Sequence, residues 1–108
     1  MTSKSLDDLV LVVQALRPEI RAMLSEDLPE DCTRAEQAYS RRDWAVMQSH
    51  VHRVNGSASF CKLGALRAVC AEIETGLKQK DPPNEVTMQG FSREIRRVLA
   101  ALKDLERE

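Results

Sequence analysis

His50-Val51-His52-Arg53-Val54-Asn55-Gly56-Ser57-Ala58-Ser59-Phe60-Cys61-Lys62-Leu63-Gly64 is the stretch whose reading decides the fold. Met47, Val51, Val54, Ala58 and Cys61 recur at steps of four and three, which marks one stripe of an α-helix. The stripe runs through Gly56, although a glycine inside a helix costs about 1 kcal/mol against alanine. On a wheel of about 100° per residue, the apolar sector is centred about 140° from His52. Around His52 fall Gln48, Ser49, Asn55, Gly56 and Ser59, all polar or small. His52 is therefore expected on the solvated face, with a position lacking a side chain one turn ahead. His50 falls at the edge of the apolar sector and is expected to be packed and hydrogen-bonded. Residues two apart do not share a helix face, so no metal shared by the two histidines is expected.

Asn55-Gly56 could also form a hairpin turn. The flanks keep a period of 3.6 rather than 2 and strand-forming aromatics are few, which favours the helix. Asn55-Gly56-Ser57 matches a glycosylation sequon, but nothing else in the chain points to secretion. An exposed histidine is commonly no more than a solvated surface residue. An imidazole cleared on one side by glycine also suits reversible covalent chemistry with a bulky partner, since neutral imidazole is nucleophilic near neutral pH.

His52-Arg53-Val54-Asn55-Gly56-Ser57-Ala58 resembles the signature of histidine-containing phosphotransfer (HPt) domains. That signature reads histidine, a basic residue, an apolar residue, commonly lysine, glycine and two small residues. The run Gly64-Ala65-Leu66-Arg67-Ala68-Val69-Cys70 with Glu72-Ile73-Glu74 is similar to the helix that follows it in that family. The likeness covers roughly the whole chain, strongly over 50 to 78, and is greatest to the C-terminal HPt domains of hybrid sensor kinases of the BarA and GacS kind. It implies that His52 is the phosphorylated nucleophile, with Gln48, Asn55, Gly56 and Ser59 forming the surroundings of the ring and of its phosphoryl group. Gln48, Asn55 and Ser59 are candidate hydrogen-bond partners of the ring. Ser49, Arg53, Phe60 and Lys62 are the candidate partner-binding residues. Arg53 and Lys62 would form an electrostatic rim, and Phe60 either adds apolar contact or is a boundary core residue. The departure from the family pattern is Asn55, which can donate a hydrogen bond but brings no charge where lysine is common.

Composition bounds the alternatives. A chain of 108 residues with 43% hydrophobic content suits one domain with a single core. Aromatics make up only 4%, so the core must be aliphatic. Sixteen basic against seventeen acidic residues leave no basic excess for nucleic acid. Cys32, Cys61 and Cys70 show no CxxC spacing and read as small apolar core residues in a reducing compartment. No apolar run approaches the roughly 20 residues of a membrane span. The protein is expected to be cytoplasmic, monomeric and without direct membrane contact, and the resemblance allows the cytoplasmic tail of an inner-membrane kinase.

Along the chain, Ser5 is placed to cap a first helix carrying Leu6, Leu9, Val10, Val13 and Leu16. Pro18 opens a second helix with Ile20, Met23, Leu24, Leu28, Cys32, Ala35 and Tyr39 on its apolar face. Pro29 is expected to kink that helix or divide it. Asp43 is the expected N-cap of the signature helix, about 43–62. A fourth helix over about 64–80 aligns Leu66, Val69, Cys70, Ile73 and Leu77 inward, with Glu72, Glu74, Lys78 and Lys80 outside. Phe91, Ile95, Val98, Leu102 and Leu105 stripe the last helix. Long amphipathic helices with short connections predict an all-α, antiparallel up-down-up-down four-helix bundle with an additional N-terminal helix, all within one domain over 1–108.

The expected function is a phosphotransfer step in a His-Asp-His-Asp phosphorelay. His52 would accept a phosphoryl group from one response-regulator receiver domain and pass it to another through transient contacts. The Mg²⁺ is expected from the receiver, with no cofactor in this domain and no autonomous kinase activity. The alternative is a non-catalytic helical adaptor with an HPt-like fold, or, more remotely, a dimerising kinase hairpin.

Overall fold

The computed structural model describes residues 2–106 and contains five α-helices. They are α1 (Thr2–Gln14), α2 (Pro18–Ser40), α3 (Trp44–Phe60), α4 (Gly64–Lys78) and α5 (Glu85–Glu106). Helices α2 to α5 close a ring, each packing on the next and α5 returning to α2, while α1 lies along α5. This is the expected helical bundle with its extra N-terminal helix.

Each helix turns one stripe inward. Leu24, Leu28, Cys32, Ala35 and Ala38 come from α2, Met47, Val51, Val54 and Ala58 from α3, and Leu66, Cys70 and Ile73 from α4. Met88, Phe91, Ile95, Val98, Ala101 and Leu102 complete the core from α5, and Val13 enters from α1. Phe91 is the one aromatic side chain among the buried residues, so the core is aliphatic as the composition required.

The helix starts follow local chemistry. Pro18 stands in the first turn of α2, where its missing N–H costs nothing. The Asp43 carboxylate accepts from the Val46 N–H at 3.4 Å and caps α3. Two expectations fail, that Ser5 caps the first helix and that Pro29 divides the second. Helix α1 begins at Thr2, so Ser5 lies inside it rather than at its cap; residues 2 to 4 contain no glycine or proline that would stop the helix earlier. Helix α2 runs undivided through Pro29. Pro29 and Ser25, whose carbonyl loses its helical partner there, are both exposed, and Leu28 and Cys32 anchor the helix on either side.

Three of the connections share one turn. The N–H of Asp43, Leu63 and Asp81 donates to the carbonyl of Ala38, Ala58 and Gly76 at 2.9, 2.8 and 2.8 Å. Arg42, Lys62 and Lys80 occupy the left-handed position in these turns, at φ 56°, 61° and 57°. Gly76 is required by close approach: a Cβ there would stand 2.6 Å from the Asp81 carbonyl oxygen.

Candidate functional site

Burial of Met47, Val51, Val54 and Ala58 forces the opposite face of α3 into solvent, and His52 stands on that face with its side chain 77% exposed. Its Nδ1 lies 2.8 Å from Glu74 Oε1 on α4. An ionised carboxylate can only accept, so Nδ1 carries the proton and donates it, and in the neutral ring the lone pair is then on Nε2. Glu74 itself is only 13% exposed, and Asn55 Nδ2 donates to its second oxygen at 2.7 Å. Ser59 Oγ donates to Asn55 Oδ1 at 3.5 Å.

The ring's partner is therefore not Gln48, Asn55 or Ser59 but Glu74. Asn55 and Ser59 stand behind that carboxylate rather than against the imidazole. Gln48 is half-buried and makes no side-chain hydrogen bond among the described residues. Glu74 was expected outside. It sits one turn after Cys70 and one before Leu77, on the border of the stripe that α4 presses against the bundle, and this placement faces it to α3. The border position is visible in the sequence, but the donors on α3 that bring Glu74 into the site are not.

A second histidine–carboxylate pair lies on the other flank of α3. His50 Nδ1 donates to Asp31 Oδ1 at 2.9 Å, and Arg53 Nε lies 3.5 Å from Asp31 Oδ2. Asp31 is buried on α2, embedded among Leu28, Cys32 and Ala35, and nothing in the helical stripe singled it out. The His50 ring is 20% exposed, the packed and hydrogen-bonded residue expected. The two rings diverge, one to α2 and one to α4.

Around His52, Ser49, Arg53, Gly56, Ser59, Phe60 and Lys62 are all exposed. Phe60, 68% exposed, is not a boundary core residue. A Cβ built at Gly56 meets no atom within 4 Å, so nothing inside this molecule demands a glycine there. The larger clefts lie elsewhere, between α2 and α5, between α1 and α5, and at the α4–α5 loop, and His52 lines none of them. The site is convex.

A family model described as the Hpt domain matches residues 19–107. The chain belongs to the Hpt family. Its role is accordingly phosphotransfer within a phosphorelay. The Hpt match takes in α2 to α5 and leaves α1 outside. Two relatives are the sensor protein GacS of Pseudomonas syringae pv. syringae, 29% identical over 85 residues, and the sensor histidine kinase GacS of Pseudomonas protegens, 31% identical over 85 residues. Each match takes in 79% of this chain but 9% of the relative, so the chain spans less than a tenth of these kinases. The crystal structure of the HPT domain from a Shewanella hybrid histidine kinase superposes with a TM-score of 0.76 at 26% identity, covering 93% of this chain and 90% of that one. No described helix is long and apolar enough to cross a membrane.

Proposed function

We propose that His52 carries a phosphoryl group between the aspartates of two response-regulator receiver domains, in a His-Asp-His-Asp sequence. The observation that carries this reading is the hydrogen bond from Nδ1 to Glu74 on an otherwise exposed ring, which leaves Nε2 as a bare nucleophile. Nε2 attacks the phosphorus of a receiver's phospho-aspartate. The N–P bond forms as the bond from phosphorus to the aspartyl oxygen breaks, and the electron pair leaves with the aspartate carboxylate. The Nδ1 proton stays on the ring, and the positive charge the imidazole gains lies against the Glu74 carboxylate. Attack by a second receiver's aspartate reverses these steps and returns neutral imidazole as the leaving group.

The Mg²⁺ and most of the charge stabilisation belong to the receiver in this scheme. Docking is transient and uses the exposed face of α3. Gly56 leaves room for the receiver, Phe60 and Ser49 give contact, and Arg53 and Lys62 face its acidic pocket.

The test is incubation with a phosphorylated receiver and Mg²⁺, followed by mapping of the acid-labile, base-stable label. Label is expected on His52 and none in His52→Gln. A folded protein that binds receivers but takes no label from any of them is an adaptor instead, and label on His50 would contradict the assignment of the nucleophile.

A further inference from the structure

We infer that Asn55 is a positioning residue for His52, acting through Glu74 to hold the imidazole in the form that keeps Nε2 bare. The inference rests on the phosphotransfer reading for its purpose, but its geometry stands apart from it. Glu74 takes two donors, one on each oxygen: His52 Nδ1 at 2.8 Å and Asn55 Nδ2 at 2.7 Å. The amide is itself oriented, because its oxygen receives the Ser59 hydroxyl. Ser59 donates to Asn55 and Asn55 to Glu74, and the His52 Nδ1 proton meets the same carboxylate on its other oxygen.

A carboxylate on a side chain with several rotatable bonds needs its second oxygen held if the first is to stay aimed at one ring nitrogen. Asn55 does this across the gap from α3 to α4. The same hold by a lysine would lay a positive charge on Glu74 and draw down the field that the carboxylate directs at the charged ring. A neutral amide fixes the carboxylate and leaves its charge to His52. The residue that departs from the family pattern is in this account the one that preserves the Glu74 charge.

The ring's protonation pattern is read directly by long-range ¹H–¹⁵N spectra of the imidazole, with no receiver or phosphate present. The wild-type His52 pattern is expected to be that of the Nδ1–H form. Asn55→Asp, which keeps size and shape but sets a second carboxylate against Glu74, is expected to lose that pattern, and Asn55→Ala to weaken it. Transfer from a phosphorylated receiver should slow about tenfold in Asn55→Asp, the loss of one hydrogen bond to a charged group. The double variant Asn55→Asp with Glu74→Gln reverses the polarity of the pair: the new amide donates to residue 55 and its oxygen accepts from Nδ1. It is expected to restore the Nδ1–H pattern. An unchanged spectrum in both single variants, or a wild-type ring protonated at Nε2, overturns the inference. A correct spectrum with no label on His52 would leave this geometry standing and reject the phosphotransfer reading.

Discussion

At the residue scale, Gly56 separates the needs of the fold from the needs of a partner. A Cβ there meets nothing within 4 Å among the described residues and removes the entropy cost of a helical glycine. Gly56→Ala is therefore expected to raise stability by about 1 kcal/mol in urea titrations. Gly56→Gln should also fold well yet transfer phosphate far more slowly, because its side chain would stand one turn from His52. A variant that gains stability and keeps full transfer would show that no partner closes over this position. His52 and Gly56 were both legible in the sequence, since their isolation from the apolar stripe needs only the helical period. Glu74 was not, because a charged residue at the border of a stripe is ordinarily assigned to water. What reverses that assignment is a donor on a neighbouring helix, and sequence spacing within one helix does not show it.

At the scale of elements, the helix ends carry a testable asymmetry. Arg42, Lys62 and Lys80 adopt a left-handed backbone that costs a residue with a Cβ about 1–2 kcal/mol and glycine almost nothing. Lys80→Gly is expected to stabilise the protein by about 1 kcal/mol, measured as a shift of the urea midpoint. Gly76→Ala, one turn earlier, is expected to destabilise it by about 1–3 kcal/mol, since the added carbon runs into the Asp81 carbonyl. The starts of α2 and α3 were readable from Pro18 and Asp43 because proline and aspartate act locally there. Ser5 and Pro29 misled for the converse reason. A capping residue does not start a helix when nothing upstream stops it, and packing on both sides of Pro29 outweighs the one hydrogen bond it removes.

At the scale of the whole molecule, the bundle consumes its own apolar stripes. Phe91, Ile95, Val98 and Leu102, which could have formed a dimer seam, are buried against the other helices. Light scattering is expected to give the mass of a single chain, and a stable dimer would contradict this. The sealed core also fixes the thiols. Burial raises all three cysteines from their ordinary value of 9.0, and Cys70, with Glu74 adding to the effect, is pushed up to about 12. A group with a raised folded value contributes its full stability below pH 9 and loses it as pH climbs towards 12. Stability should therefore fall above pH 9 by up to about 1.4 kcal/mol per pH unit for Cys70. A shallower slope in Cys70→Ala, followed by circular dichroism, checks the assignment.

The exposure of the His52 ring has a consequence for fidelity. A reacting atom on a knob has no walls with which to choose among small molecules, so a free acyl phosphate meets the same open imidazole as a protein-bound one. In the proposed relay, selection then resides in the receiver, which has to dock before the two reacting atoms align. In the proposed relay such a domain is half of an active centre, completed anew by each receiver that closes on it.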